Sequence, residues 1–414
     1  MMRTIAIFTS TFPYPPGEQF LESEIQYWSR AGWARVILVP YNASGIPRPI
    51  PDNIIVESTN RANFLQRIFF GFRALSSTLF WQELLYLYRI HKLRLRTCGD
   101  AFRSVATVFF AKHKISTIIE QYGPLDCAYC YWHSEIAYAA CMMKRSGSID
   151  HVAARAHRTD VYEYLGFDGY MPLKRQFGTK FDAIYAISLD CQTYLEQTYH
   201  IPSRIIHLSR LGVCVPLIPG SGSIDNVVRI VSVSFCVSIK RIDKIIDAIQ
   251  AASALNTNLS ISWIHIGDGL LRSDLERYAS IKLNHPNISF SFIGERDNSE
   301  VLDHYASKAV DIFINCSASE GVPVSIMEAM SYGIPAIAPD VGGVSELVND
   351  ECGVLLPHNF SDLDISDAII HLVGEKRQKF RDAARFKVIR EYSAEVNYIK
   401  FVMSIRALCE TGRT

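Results

Sequence analysis

Glu320-Gly-Val-Pro-Val-Ser-Ile-Met-Glu328 decides how the C-terminal half of this chain is read. Before it stands the apolar run Val310-Asp-Ile-Phe-Ile-Asn315, which predicts a buried strand. After it comes Glu328-Ala-Met-Ser-Tyr-Gly333, which predicts a short helix ending at a glycine. The segment is then a strand–loop–helix junction, with Glu320 in the loop and Glu328 inside the helix. Pro323 suits the first helical position, where a missing N–H costs nothing. Gly321 lets the main chain approach a ligand with no side chain between. Unpaired N–H groups and the helix dipole make such a start an anion site. Two flanking carboxylates then suit a ligand with phosphate in its middle and hydroxyl-rich groups at both ends.

Around this junction, apolar runs at 227–235, 260–266, 288–293, 310–315, 334–338 and 353–356 predict strands. Helical patterns at 241–255, 270–282, 298–308 and 323–332 fall between them. That alternation implies βαβ units and a parallel sheet with right-handed crossovers. The N-terminal half repeats the theme, with strands expected at 3–9, 35–40, 126–131, 151–156, 182–187 and 204–208, and helices at 18–31, 134–145 and 189–199. Residues 213–226, with Pro216, Pro219, Gly220 and Gly222, are the expected linker. A charged helical pattern follows from about 375, turning apolar near 398–408.

The chain has 414 residues, of which 49% are hydrophobic and 20% charged, so two ordinary globular domains are expected. Lys plus Arg and Asp plus Glu are both 42. That balance lacks the basic footprint that bulk nucleic-acid binding needs. The start, Met1-Met2-Arg3-Thr4-Ile5, enters a strand-like run without a signal-peptide pattern, and no run approaches the roughly 18 apolar residues of a membrane span. A cytoplasmic location is the expectation. The 10 cysteines are scattered through apolar runs, as buried free thiols are. Cys127-Ala-Tyr-Cys130 has redox or half-zinc spacing, but no second pair accompanies it.

Residues 58–99 differ from their surroundings. Arg61, Arg67, Arg73, Arg89, Lys92, Arg94 and Arg96 face one acid, Glu83, among eight aromatic residues that include Phe64, Phe69, Trp81 and Tyr88. This composition fits a helix lying in an anionic membrane interface. It fits equally a helical insertion packed on its own domain with its arginines solvated.

Further turns follow predicted strands: Ile266-Gly267-Asp268-Gly269-Leu270, Phe292-Ile293-Gly294, and Pro339-Asp340-Val341-Gly342-Gly343. Such turns are where ligands bind in open α/β sheets. Gly267 and Gly269 do not make a dinucleotide fingerprint, because Arg272 stands where its third glycine belongs. The stretches GDGLL, FIGERDNSEV, CSASEGVPVSIMEAMSYGIPAIAPDVGGVSELV and CGVLLP resemble the retaining glycosyltransferases of family 4, most strongly over 227–358. The family's two glutamates, separated by seven residues, match Glu320 and Glu328. The resemblance implies an α/β GT-B fold, with two Rossmann-like domains whose parallel sheets face a deep interdomain cleft. Residues 1–213 would bind the acceptor, 58–99 being an insertion; 214–392 would bind the nucleotide sugar; 393–414 would form a helix that could pack back on the N-terminal domain.

The resemblance also implies roles. Glu320 would meet the donor sugar, Glu328 the ribose hydroxyls, and the main chain of Gly321, Val322, Pro323 and Val324 the sugar or distal phosphate. Lys240 matches the family lysine that neutralises the leaving diphosphate. The family's arginine five residues earlier is replaced here by Phe235, leaving Arg241 as the candidate second charge. Cations at a helix start oppose its dipole, which favours a ligand role for this pair. Thr9-Ser10-Thr11-Phe12-Pro13-Tyr14-Pro15-Pro16-Gly17-Glu18 resembles the first glycine loop, Gly17 being the matching glycine. Gly267 and Gly269 would line the donor crevice. Arg155-Ala156-His157-Arg158-Thr159-Asp160 resembles a loop whose histidine, here His157, contacts the donor sugar. Trp132, His133, Arg155 and Asp160 would line the acceptor site. Ser209-Arg210-Leu211-Gly212-Val213 would be the hinge.

The implied reaction is transfer of a sugar from a UDP- or GDP-sugar to a hydroxyl of a glycan or lipid-linked glycan, with retention. Surface polysaccharide synthesis, with no metal and no other cofactor, is the expected setting. No second carboxylate opposes Glu320 as hydrolysis would require. The rival readings are a non-catalytic partner subunit, a nucleotide-sugar epimerase of the same fold, and a dehydrogenase, the last disfavoured by the failed fingerprint.

Overall fold

The computed structural model describes residues 2–15, 17–18, 20–58, 62–374 and 376–411. Pro16 of the first loop and Arg61 of the basic segment lie outside the described residues. The chain divides into two units. The first runs to Ser209 and resumes at Tyr398; the second is Arg210–Asn397. The division falls four residues before the expected 213.

The first unit holds seven strands: β1 (Arg3–Thr9), β2 (Ala34–Pro40), β3 (Ile55–Val56), β4 (Leu125–Cys130), β5 (Ile149–Ala156), β6 (Ala183–Ala186) and β7 (Ile206–Leu208). They form one parallel sheet in the order β3-β2-β1-β4-β5-β6-β7. Ile5 pairs with both Val36 and Cys127, so β1 sits inside the sheet and is apolar on both faces, as buried parallel strands are. Side chains alternate across it. Ile5, Ile7, Cys127 and Tyr129 share one core with Phe401 and Ile405; Ala6, Phe8, Ala128 and Cys130 share the other with Val105 and Val108. An offset of three on a strand thus sends Cys127 and Cys130 to opposite faces, so the CxxC spacing builds no joint site.

Three helices, α2 (Phe64–Leu75), α3 (Thr78–Arg89) and α4 (Leu95–Tyr122), follow the first crossover helix α1 (Leu21–Ser29). Asn63 and Gln66 cap α2 reciprocally, and Ser77 caps α3. The 28-residue α4 runs well past the expected end of the insertion at 99. Inward, Phe70, Ala74, Phe80 and Leu87 are buried. Glu83 is buried too, accepting from Tyr170 Oη at 2.8 Å, Leu173 N at 2.9 Å and Gln176 Nε2 at 2.6 Å. Three of the cations are engaged locally. Lys92 donates to Gly169 O at 2.8 Å, Arg94 pairs with Asp168 at 3.3 Å, and Arg96 lies 4.0 Å over Phe167. The packed-insertion reading therefore holds for the inner face. The outer face is apolar: Phe64, Leu65, Ile68, Phe69 and Phe72 of α2 and Trp81, Leu85 and Tyr88 of α3 are exposed.

The second unit holds β8 (Val227–Val233), β9 (Ser260–Ile266), β10 (Ile288–Phe292), β11 (Ile312–Ile314), β12 (Ala336–Pro339) and β13 (Gly353–Leu356), parallel in the order β10-β9-β8-β11-β12-β13. In both sheets the strand order reverses once, between β1 and β4 and between β8 and β11. The crevice at such a reversal is the natural ligand position of an open α/β sheet. The expected linker 213–226 is instead tied into this unit. Val213 bridges to Ser393, Gly220 N donates to Tyr332 O at 2.9 Å, and Ser223 N donates to Asp311 Oδ1 at 2.8 Å. A Cβ on Gly220 would stand 2.6 Å from Tyr305 O, so the glycine serves close packing there. Among the described residues, no helix is long and apolar enough to cross a membrane.

Candidate functional site

Glu320 and Lys240 meet at the strand-order reversal of the second unit. Lys240 ends a short 3-10 turn (Ser238–Lys240) after β8, and Glu320 lies in the loop after β11. Lys240 Nζ donates to Glu320 Oε1 at 2.6 Å, and Asn315 Nδ2 reaches the same oxygen at 3.3 Å. Asn315 also accepts from Ser317 N at 2.8 Å, which folds the chain immediately after the strand. Ala318 N donates to Ile239 O at 2.8 Å and joins the two loops.

Two neighbours fix this pair from below. Gly342, at φ +54°, lies so near that a Cβ would stand 2.1 Å from Glu320 O; Gly343 N donates to Gly321 O at 2.8 Å. Arg241 takes the left-handed conformation, φ +48°, which a side chain adopts only when its surroundings hold it there. Its Nε donates to Cys316 O at 2.6 Å, its Nη2 to Ser317 O at 3.2 Å, and its guanidinium lies 4.6 Å over Phe360. Two of its five N–H donors are thereby spent on main chain, so the second cation named for a diphosphate also clamps the loop. Phe235, in the position of the missing arginine, is 59% exposed.

The helix carrying Glu328 is Val324–Ser331. Pro323 is its N-cap, at φ −72° and ψ 115°, and not the first helical residue as expected. The ψ is extended, and Ile326 N and Met327 N already bond to Pro323 O. That leaves the N–H groups of Val324 and Ser325 at the helix start as the local anion donors. Val322 is buried. Glu328 accepts from Asn298 Nδ2 at 2.7 Å, and burial pushes its carboxyl up to about 7 against that hydrogen bond.

Gly267 and Gly269 serve packing. A Cβ on Gly267 would stand 1.9 Å from Ser234 O, and one on Gly269 2.7 Å from Cys236 O. Gly267 N donates to Gly294 O at 2.9 Å, and Cys236 N to Asp268 O at 2.8 Å. These glycines seat the β9 loop under the loop that carries Lys240, so the expectation that they approach a ligand gives way to a main-chain contact.

The first unit gathers His157, Trp132 and the loop after β1. The Ser10–Phe12 main chain points three N–H groups at one carboxylate, that of Glu18, at 2.9, 2.6 and 2.6 Å. Trp132 Nε1 donates to the same carboxylate. Gly17, at φ +93°, makes the bend, and Glu18 itself sits at φ +53°. Sequence reading gave Glu18 no role; the signal available was a run of small polar residues after a strand, followed by an acid within one loop. His157 packs against Trp132 and Tyr131, ring centroids 4.6 and 4.7 Å apart. Both its ring nitrogens are buried without a hydrogen-bond partner. Its Nδ1 lies 3.9 Å from Asp160 Oδ2.

Three expected acceptor contacts are interior parts instead. Arg155 is fully buried, 3.3 Å from Glu24 Oε2, 3.1 Å from Tyr129 Oη and 4.1 Å over Phe401. Asp160 accepts from His133 N at 2.7 Å and His157 N at 2.6 Å, tying the β4 and β5 loops together. His133 is buried beside Lys174 Nζ at 3.0 Å; burial and that cation hold its imidazole well below the usual range. A charge at a strand end reads as ligand-facing only while its distant partner is unseen. Among the described residues, no three His, Cys, Asp or Glu side chains converge as metal ligands.

Residues 220–387 match the family model described as glycosyl transferases group 1. Over 142 residues the chain is 30% identical to a GDP-mannose-dependent alpha-mannosyltransferase of Mycobacterium tuberculosis, covering 34% of this chain and 35% of that protein. A like-named protein of Mycolicibacterium smegmatis is 29% identical over the same share. The chain thus spans about a third of the length of these curated relatives. The apo lipopolysaccharide outer core galactosyltransferase WaaB superposes over 98% of this chain and 99% of its own, with a TM-score of 0.68 at 15% identity. Anabaena Alr3699/HepE, solved with UDP and glucose, covers 98% and 100% with a TM-score of 0.65 at 14% identity. The fold of the chain is GT-B, and its residues 220–387 match the glycosyl transferases group 1.

Proposed function

We propose that this chain transfers a hexose from a nucleotide diphosphate sugar to a hydroxyl of a glycan or lipid-linked glycan, with retention at the anomeric carbon. The Lys240–Glu320 pair carries the reading: a cation and a carboxylate 2.6 Å apart at the strand-order reversal, beside a helix start. Lys240 and the first turn of Val324–Ser331 would receive the diphosphate and stabilise its growing charge. Glu320 would orient the sugar, His157 would bond a sugar hydroxyl, and Glu328 would accept from the ribose. The bond from the anomeric carbon to phosphate oxygen breaks, the bond to the acceptor oxygen forms on the same face, and the leaving phosphate takes the acceptor proton. Positioning and charge stabilisation then do the protein's share, without a metal.

GDP-mannose is the first donor to test, since the curated mycobacterial relatives are named for it. The apolar outer face of α2 and α3, with Arg67, Arg73 and Arg89 on the same helices, supports attachment to an anionic bilayer on the cytoplasmic side, where a lipid-linked acceptor for surface polysaccharide would be met. The exposed Phe235 keeps a second reading in view, a non-catalytic subunit that supports a partner enzyme. Incubation with GDP- and UDP-sugars, with and without acceptor and EDTA, decides between them. Acceptor-dependent nucleotide release insensitive to EDTA is expected. Absence of donor binding by calorimetry would sink the catalytic reading in favour of the subunit.

A further inference from the structure

An open groove of about 460 Å³ lies between α2 and α4 in the first unit. Leu65, Phe69, Phe70 and Phe109 supply its apolar lining. Arg73, Lys112 and His113 stand along it, with the Arg73 guanidinium 5.2 Å over the Phe109 ring. No carboxylate is among the described residues that line it. Leu65 and Phe69 belong at once to this groove and to the exposed apolar face of α2.

Two neutral polar atoms of the lining are already engaged. Gln66 Oε1 accepts from Asn63 N at 3.1 Å, and Ser116 Oγ donates to Lys112 O at 3.1 Å. A peptide laid here would find few partners for its main chain, and unpaired polar groups are costly. A hydrocarbon chain needs none. Cations without acids at the rim call for an anionic head on that chain. Pockets of this size, mostly apolar with a few convergent polar groups, are typical ligand sites.

We propose that the α2–α4 groove takes up the hydrocarbon chain of a lipid phosphate, with Arg73, Lys112 and His113 on the phosphate. This rests on the lipid-linked acceptor reading above and names the part of the acceptor that it left open. The groove would draw one chain out of the bilayer and tether the acceptor to the protein by its lipid end.

Calorimetry of the full chain tests this with monomeric dodecyl phosphate, below its micelle concentration and without donor. Saturable one-to-one binding is expected, at least about tenfold tighter than for an uncharged dodecyl probe, with none for inorganic phosphate. Ser116→Trp fills the groove and should weaken binding at least about tenfold. Leu65→Asp, on an exposed helix surface, should do the same and covers the case in which the tryptophan variant fails to fold. No saturable binding, equal binding in both variants, or equal binding of inorganic phosphate overturns the proposal. So does a dimer by light scattering that protects α2 from hydrogen exchange. Flotation with anionic liposomes and nucleotide release are read separately, so their failure removes the membrane or transferase reading and leaves the groove result standing.

Discussion

Lys240 and Glu320 neutralise each other across two loops, Nζ to Oε1 at 2.6 Å. A diphosphate would compete with Glu320 for that ammonium. Lys240→Ala should therefore abolish transfer while costing about 1 kcal/mol or less in stability, because the pair is partly solvated. Glu320→Gln should lose activity too, yet bind free GDP or UDP more tightly than the parent, since its lysine is released. Weaker nucleotide binding by Glu320→Gln in calorimetry would show that the pair does not face the phosphates.

Gly342 supports Glu320 through its missing side chain. Gly342→Ala places a Cβ 2.1 Å from Glu320 O at φ +54°, so the loop must move. The expected cost is about 2–3 kcal/mol, with a larger loss in kcat than in nucleotide affinity. Denaturant unfolding beside steady-state kinetics checks this; a parent-like kcat would contradict the supporting role.

Glu328 links stability to pH. Its carboxyl titrates near 7 in the folded protein against an ordinary 4.5, because burial disfavours the charge. Proton binding by the folded state then stabilises it, fully below pH 4.5, and that contribution is lost as pH rises through 7. Glu328→Gln should gain about 1–3 kcal/mol over the parent at pH 8 and nothing at pH 4. Donor affinity should fall in the same variant, since an amide oxygen accepts more weakly from a ribose. Equal stability curves at both pH values would remove the buried-carboxylate account.

Arg155 tests the correction of the acceptor site. Removing one partner of a buried ion pair leaves the other stranded, so Arg155→Met should cost about 3–5 kcal/mol, and Glu24→Leu with Arg155→Met should recover much of it. Neither change should alter the acceptor KM of the protein that remains folded. A raised KM in the double variant would return Arg155 to the acceptor site.

The strands of the second unit and the helices between β8 and β12 were readable because strand and helix periods alternate cleanly there, whereas the helix Asp362–Leu372 was not. The main misses have physical causes. In α4, apolar residues such as Val105 and Val108 sit among polar ones, and its start lies within the basic aromatic segment, so no cap or period announced it. Two-residue β3 is too short for a period. Glu320 and Glu328 could be named from the local pattern and Lys240 from the family resemblance, but the roles of Arg155, His133 and Asp160 depended on Glu24, Lys174 and the β4 loop, partners that local patterns do not reveal. Gly267 and Gly269 showed the same ambiguity, since a glycine needed against main chain and one needed against ligand look alike in sequence.

Glu18 gives the first loop a built-in counter-ion. Three main-chain donors that a phosphate could have filled are closed by the protein's own carboxylate. The turn can thus be complete before any nucleotide arrives, and an incoming anion would have to displace a tethered competitor. Any polar ligand of this unit would then have to meet other groups, and His157, whose ring nitrogens make no hydrogen bond while Nδ1 lies 3.9 Å from Asp160 Oδ2, is the nearest candidate in these loops.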